Sequence, residues 1–600
     1  MTQQDTDREA ALRQRLARLS PERRAAAEQL LAGATRVPGG EPPLVPRPAP
    51  DQPAPLSAGQ EQMWLMDLLT GVPGSLIDHV AVRLTGPFDH AAFARALAQV
   101  TDRHEVLRTR ILRVDGSPMQ VPAAEPVLDL AVRDLTGQDL AACLAQAGAD
   151  STAPFDLATG PLLRTRVYRL GPTDHVLLIA LHHMITDASS EAALLAELAQ
   201  LYRAELEQGG DPLPRPAIQY ADYARWQREL LRGERLERLL GYWSERLAGV
   251  PWTLPLPLDR PRTVPRGGAY VDVLAPAALV DRVTALARDL RTTLFVVLLA
   301  GLRVLLWRQT GQRALIVGTP ISARTRAETE GVLGYFLNML ALPGAVDPDA
   351  PVRDAIGAEH AATMSAYAHA DLPFERLVAH LRPAREPGST PLVQVLFSAD
   401  SEVDLPADFA GLACTQLALT GGIAQYDLMV KAVRSGDGFV ARWDYDDAIH
   451  DRDRIAALGG EFWELVSAMV EDPGRPVRGL PGRTPPPAPA APTPVVVTWA
   501  GTADEDPPRG FMQETVAELW AELLGMSPGA NDVLFDIGGH SLTTALLAFR
   551  LTERFGVSVP VPALFEHQTV ATQAVYLEEL LLARTDVLPA DALDRLVPGN

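Results

Sequence analysis

The chain has 600 residues, several times the usual size of one domain, so two to four domains are expected, with length enough for large cores. Its 54 Lys and Arg stand against 75 Asp and Glu, a formal charge of -21 that repels a phosphate backbone; no basic patch offsets it, so no nucleic acid partner is expected. Cys143 and Cys414 lie far apart and outside any paired spacing, which excludes a disulfide scaffold and a cysteine zinc site and fits a reducing cytoplasm.

The N-terminus is polar and lacks the apolar core of a secretory signal. Within residues 1–36, Leu12, Leu16 and Leu19 fall at helical spacing, and Ser20 and Pro21 suit the cap and first turn of a second helix ending near Gly33. This segment reads equally as a loose leader or as a docking element for another polypeptide. Residues 37–55 are rich in proline and predict an extended linker, with structure resuming at Leu56.

From 56 to 480, strand-like runs such as "HVAVRLTG" and "HVLLIALHH" alternate with helical patterns such as "HAAFARALAQVTDRH" and "DRVTALARDLRTTLFVVLLAGLRVLLW". The mixture predicts an α/β region of two lobes, an N-lobe over about 56–215 and a C-lobe over about 228–480, joined near 212–227. The most apolar stretch, 294–307, is interrupted by Arg303. It falls short of the roughly 20 apolar residues that cross a bilayer, so it reads as a buried helix and no membrane association is expected.

Residues 481–507 form a Pro- and Ala-rich linker, since that composition builds no packed core. Residues 508–583 then read as all helix. Val516, Leu519, Trp520, Leu523 and Leu524 mark one buried helical face that Gly525 terminates, and further helices follow "FDIGGHS" and "VSVPVPALFEHQTV". This is a small all-α bundle, followed by a tail at 584–600.

Two short strings carry chemistry. "FDIGGHS" places Ser541 at a helix N-terminus behind Gly538 and Gly539, where a serine can simply cap the helix or can present its hydroxyl to an anionic group favoured by the helix dipole. "HHMITD" follows the apolar run Val176 to Leu181 and precedes a helical pattern that Ser189 or Ser190 can cap, so His182, His183 and Asp187 sit on a strand-to-helix loop. Adjacent histidines on a strand point to opposite faces, so they do not converge on one metal ion, and no metal is expected. Alternation turns one of them inward as a packed histidine. Asp187 can serve as a turn residue bonded to its own backbone.

Residues 508–583 resemble a peptidyl carrier protein of nonribosomal peptide synthetases, whose hydrophobic, Gly-Gly-x-Ser, hydrophobic pattern is met by Ile537, Gly538, Gly539, His540, Ser541 and Leu542. Residues 51–478 resemble the condensation domain of the same synthetases. The likeness rests on "HHMITDA", on "LSAGQEQMW" at 56–64, "RHEVLRTR" at 103–110, "YADYARWQ" at 220–227, "VGTPISARTRAETEGVLGYFLNML" at 317–340, "HADLPFERLV" at 369–378 and "REPGSTPLVQVLFS".

The resemblance implies a pseudodimer of chloramphenicol-acetyltransferase-like lobes followed by a four-helix carrier bundle. It implies that Ser541 receives 4'-phosphopantetheine, covalently, from a phosphopantetheinyl transferase. It also implies that His183 faces the channel between the lobes and assists an acceptor amine in attacking a donor thioester, as general base or as a hydrogen-bond acceptor. His182 would point into the lobe as support, and Asp187 would pair with Arg324 through a bidentate arginine contact. The chain departs from the family with Ala188 for glycine, Ser189 where tryptophan is common, Gln62 for arginine and Met339 for threonine.

The reaction implied is amide formation, of the kind used for antibiotic-type secondary metabolites. With no adenylation domain between condensation and carrier parts, the acceptor is expected to be loaded by a trans-acting adenylation enzyme and the donor to arrive on an upstream carrier. A hydroxyl or free amine acceptor, and a non-catalytic recruitment platform, are the alternatives.

Overall fold

The computed structural model describes residues 41–70, 74, 76–262, 267–383, 390, 392–401, 408–419, 424–435, 438–487, 506–534, 537 and 541–585. The expected helical pair at 1–36 and the tail at 586–600 lie outside the described residues. The chain divides into two units, Met1–Val45 and Pro46–Asn600. The second unit holds both lobes and the bundle.

The first lobe comprises β1 (Ala54–Pro55), α1 (Ala58–Thr70), β2 (Ile77–Thr85), α2 (His90–Arg103), β3 (Thr109–Val114), β4 (Ser117–Pro122), β5 (Asp129–Asp134), α3 (Leu140–Ser151), β6 (Leu163–Gly171), β7 (Asp174–His182) and α4 (Ala188–Leu206). Two helices, α5 (Tyr220–Leu230) and α6 (Gly233–Leu247), lead to the second lobe. From there the chain forms β8 (Ala269–Leu274), α7 (Leu279–Asp289), α8 (Leu294–Thr310), β9 (Ala314–Ser322), β10 (Leu337–Ala345), α9 (Val352–Tyr367), α10 (Phe374–Leu381), β11 (Val395–Ser401), β12 (Asp408–Phe409), β13 (Leu412–Leu417), β14 (Leu428–Ser435), β15 (Gly438–Tyr445) and α11 (Arg452–Glu471), all in the second lobe except β12 and β13.

Each lobe is built on a six-stranded mixed sheet. The order is β12-β13-β2-β7-β6-β5 in the first and β10-β9-β11-β14-β15-β8 in the second. Val176 to Leu181 of β7 are all buried, as an uninterrupted apolar run requires of a strand covered on both faces. β2 pairs antiparallel to β7, with Ile77 opposite His182 and Asp78 opposite Leu181. That register brings the start of β2 to the end of β7, where the two histidines stand.

The lobes are not closed segments of sequence. β13 leaves the second lobe's part of the chain and pairs with β2, Leu417 facing Ala81, so residues 408–417 complete the first lobe's sheet. The expected division at 212–227 therefore misses a strand exchange. Period-two alternation marks a strand without naming its partner.

The linker expected at 37–55 is folded in part. Arg47 is almost enclosed and pairs with Glu105 at 2.6 Å and Asp222 at 3.0 Å, and β1 pairs with β4, Ala54 opposite Gln120. Proline at a sheet edge needs no ladder N–H, which is how this run joins a strand. The second linker likewise begins against the lobe: Arg308 Nη1 donates to the Arg483 carbonyl at 2.8 Å, and a Cβ on Gly311 would fall 2.3 Å from the Pro486 carbonyl oxygen.

The long helical pattern at 281–307 is two helices, α7 and α8, bent by 105°. The break falls at 290–293, where the Thr293 side chain caps α8 by accepting from the Val296 N–H. Every residue from Val296 to Thr310 is buried, which explains the helix's all-round apolar character. Arg303, within it, pairs with Glu359 at 2.6 and 2.9 Å and donates to the carbonyls of Leu315 and Leu342. Among the described residues no single helix is long and apolar enough to cross a membrane.

The C-terminal bundle consists of α12 (Gly510–Leu524), α13 (Ser541–Phe555), the short α14 (Ala563–Glu566) and α15 (Val570–Thr585). Gly525 ends α12 in the left-handed conformation, φ 71°, where a side chain would be strained. Trp520 is fully buried and donates its indole N–H to Gln573 at 2.9 Å, tying α12 to α15. Two lobes and a four-helix bundle match the expected fold class.

Candidate active site

The site is assembled at the end of β7. The His183 N–H donates to the Leu76 carbonyl at 2.8 Å and the His182 N–H to the Leu162 carbonyl at 3.0 Å, so the loop keeps its sheet bonds on both sides as it leaves the strand. A turn of 3-10 helix, His183–Ile185, follows, with His182 at its cap. His182 is buried at 2% exposure, accepts at Nδ1 from the Met184 N–H and stands 3.6 Å from Asp67 of α1. His183 keeps 16% of its side chain open, with the Tyr335 ring edge-on at 5.0 Å between centroids. One histidine supports the loop and the other faces the second lobe.

Asp187 anchors the loop. Its side chain caps α4 by accepting from the Ser190 N–H at 2.7 Å, and it also accepts from the Phe336 N–H of the second lobe at 3.0 Å. The helix begins at Ala188, so Asp187 takes the capping role expected of Ser189 or Ser190. Arg324 does reach Asp187, but one nitrogen, Nη2, serves both carboxylate oxygens at 3.2 and 3.4 Å. The bidentate fork is absent because Nη1 is taken by the carbonyls of Thr329 and Val332 at 2.8 and 2.6 Å. Nη2 also donates to Ser190 Oγ at 2.7 Å, and the guanidinium lies 3.9 Å over the Phe336 ring. Ser190 Oγ donates in turn to the Gly334 carbonyl, and a Cβ on Gly334 would fall 1.9 Å from the Tyr220 ring. Asp187 thus both caps α4 and pairs with Arg324, without the bidentate contact expected.

Ala188 has no left-handed backbone and is exposed, as is Ser189. The methyl group therefore disturbs no glycine-dependent angle.

Two acids escaped the sequence reading. Asp78, at the start of β2, pairs with Nδ1 of His183. Glu191, on the first turn of α4, lies within electrostatic reach of both. Burial disfavours the His183 imidazolium, but the Asp78 charge and contact, with Glu191 and Asp187, outweigh it and raise the pKa above the ordinary value. Burial likewise disfavours the Asp78 carboxylate, yet His183 holds its pKa below the usual carboxylate range. Burial and the neighbouring Asp78 charge push Glu191 up to about 8, against the pull of His183, so its carboxyl is neutral near pH 7. A cavity lined by Ser57, Gly59, Ser322, Tyr335, Asn338 and Glu375 shares Tyr335 with this cluster but is not lined by His183, Asp78 or Glu191. Among the described residues no group of three or more His, Cys, Asp or Glu side chains is placed to hold a metal ion.

The carrier bundle packs on the first lobe through α1, the helix that also touches the histidine loop. Gln60 of α1 donates to the Met184 carbonyl at 3.2 Å, and Asp67 faces His182. Toward the bundle, Trp64 stacks on Phe549 at 5.7 Å, Leu65 joins the bundle's apolar core, and Arg113 lies 4.4 Å over the Phe549 ring and 3.6 Å from Glu553. Ser541 begins α13, a 15-residue helix, so its place at a helix N-terminus is as expected. Gly538, Gly539, His540 and the Ser541 side chain lie outside the described residues.

Known proteins give this layout a family. The Condensation domain model matches residues 51–481, which include His182, His183, Asp187 and Arg324, and the Phosphopantetheine attachment site model matches 514–577, which include Ser541. The chain is 37% identical over 604 residues to phosphinothricin tripeptide synthetase PhsB of Streptomyces viridochromogenes, across 96% of this chain and 49% of that protein. It is 33% identical over 441 residues to malpibaldin synthetase of Mortierella alpina, across 72% of this chain and 8% of that protein. It thus spans half or less of these curated relatives. The X-domain solved in complex with OxyB from teicoplanin biosynthesis superposes with a TM-score of 0.68 at 25% identity, over 74% of this chain and 98% of that one. The chain belongs to the condensation domains of nonribosomal peptide synthetases, peptide-bond-forming acyltransferases, and continues into a carrier domain that is the site of covalent 4'-phosphopantetheine attachment.

Proposed function

We propose that the chain joins an upstream acyl or peptidyl thioester to an amine carried on its own carrier domain, forming an amide, with Ser541 bearing the arm. The observation that carries this reading is the placement of His183. Its ring is partly open at the seam of the lobes, on a loop fixed by Asp187 and Arg324, in a chain whose carrier packs on the neighbouring helix. In this reading His183 takes the amine's proton or orients its lone pair, His182 supports the loop, and Asp187 and Arg324 hold it.

The start of α13 suits the attached group, since the dipole at a helix N-terminus favours a phosphodiester. When attached, the arm supplies the thiol that carries the acceptor as a thioester. The interval 482–513 between the two matched regions is too short for another domain, which supports loading of the acceptor by a separate adenylation enzyme. A phosphopantetheinyl transferase and a donor carrier complete the set of partners, and the unpaired Cys143 and Cys414 suit a cytoplasmic setting.

The exposed Ala188 and Ser189 beside the loop favour, as a second reading, an altered acceptor such as a hydroxyl or a free amine. The likeness to an X-domain solved with OxyB favours, as a third, a recruitment platform. Transfer of a donor acyl mass to the loaded carrier, lost in His183→Ala, supports the first reading. No transfer to the carrier, with product on a soluble acceptor or on none, supports the others.

A further inference from the structure

Asp78 is the second residue of β2. Its carboxylate sits against Nδ1 of His183 in ion-pair contact, and among the described residues no group meets hydrogen-bond geometry at that nitrogen. The β2–β7 register enforces the meeting: Asp78 faces Leu181, and the His183 N–H is bonded to the Leu76 carbonyl, so ring and carboxylate leave neighbouring strand ends on the same side.

We propose that Asp78 is a positioning residue for His183: it occupies Nδ1 and so leaves Nε2 as the nitrogen that meets the acceptor's proton. This rests on the amide-forming reading of the site. In that reaction the amine nitrogen bonds to the donor carbonyl carbon, the C–S bond breaks with its electron pair on sulfur, and the proton lost by the amine passes through Nε2 to the departing thiolate. Atoms and charge balance with no further reagent. An imidazole whose Nδ1 is pinned by a carboxylate keeps one tautomer and one orientation, and its imidazolium form is stabilised where the proton is briefly held.

Other titratable groups lie within electrostatic reach of this pair. Glu191 approaches from α4 and Asp187 from its cap, His79 from β2 itself, and Lys431 from β14 of the second lobe, with the Tyr335 ring beside His183. Lys431 is engaged with Asp444 at 3.3 Å, and Asp187 is engaged with Arg324 and the Ser190 N–H, so Asp78 alone touches Nδ1.

The test uses the full chain with isotope-labelled histidine, the His183 signal being assigned by its loss in His183→Gln. Asp78→Asn should move the His183 titration to lower pH, and Asp78→Glu should restore part of the shift. With the carrier loaded with glycyl-pantetheine and a panel of N-acetyl-aminoacyl pantetheine thioesters as donors, Asp78→Asn should lower kcat about tenfold or more with KM little changed, and move the acid limb of the rate profile to lower pH. A titration unmoved in Asp78→Asn, or a wild-type rate and limb, overturns the proposal. Wild-type protein that forms no amide with any donor refutes the amide reading instead, and the titration still decides whether Asp78 governs His183.

Discussion

Arg324 holds Asp187 through a single nitrogen, Nη2, while Nη1 is committed to the carbonyls of Thr329 and Val332. One guanidinium thus ties the loop after His183 to the 329–332 segment of the second lobe. Asp187→Ala would leave that cation without its carboxylate, uncap α4 and strand the Phe336 N–H. The expected loss is about 3–5 kcal/mol, the range for breaking a buried pair by removing one partner. Denaturant unfolding checks it, and a loss below about 1 kcal/mol would contradict the anchoring role.

The charges around His183 set the pH at which its imidazole can take a proton. Burial opposes the imidazolium but Asp78 and its neighbours prevail, and the pKa lies above the ordinary value of about 6.5. Below the raised pKa the ring is already protonated and cannot accept. Amide formation should therefore fall as pH drops through a value above about 6.5. A rate profile flat from about pH 8 down to 6 would contradict this.

Arg303 and Glu359 meet inside the second lobe, both almost fully buried. Glu359→Ala strands a buried guanidinium and should cost about 3–5 kcal/mol, whereas replacing both, Arg303→Met with Glu359→Leu, should recover most of that loss. Equal destabilisation in the single and double variants, measured by unfolding, would show that the pair's charge is not what the core depends on.

Much of this site was legible because local pattern and chemistry coincide. An apolar run ending in "HHMITD" announces a strand that leaves its core at a polar loop, and His182, His183 and Asp187 follow from it. Asp78 was missed for a physical reason: an acid at the edge of a strand-like run looks like solvated loop, and its partner is supplied by pairing with a strand about a hundred residues on. Residues 408–417 fall within the C-lobe bounds of about 228–480 yet join the first lobe's sheet, since alternation does not encode which sheet a strand joins. The α7–α8 break carried a weak signal, a threonine cap at Thr293 with no proline or glycine beside it. Arg47 shows the converse, a proline-rich run drawn into the fold by two acids distant in sequence.

Phe549 joins the carrier to the first lobe by stacking on Trp64 and lying beneath Arg113. An aromatic pair with a cation contact is worth about 1–2 kcal/mol, so Phe549→Ala should slow transfer to the carrier-bound acceptor about tenfold. Transfer to free aminoacyl pantetheine should be unchanged. Equal slowing of both would place Phe549's effect on the first lobe it packs against rather than on presentation of the carrier-bound acceptor.

If His183 drives acyl transfer onto the chain's own carrier, the mass of the carrier arm reports it, once Ser541 has been loaded with an aminoacyl pantetheine and the protein mixed with an acyl-loaded donor carrier. The arm should gain the donor acyl mass in the wild-type protein and fail to gain it in His183→Ala. An arm that takes up the acyl group equally in both would mean that His183 is not the residue on which the transfer depends.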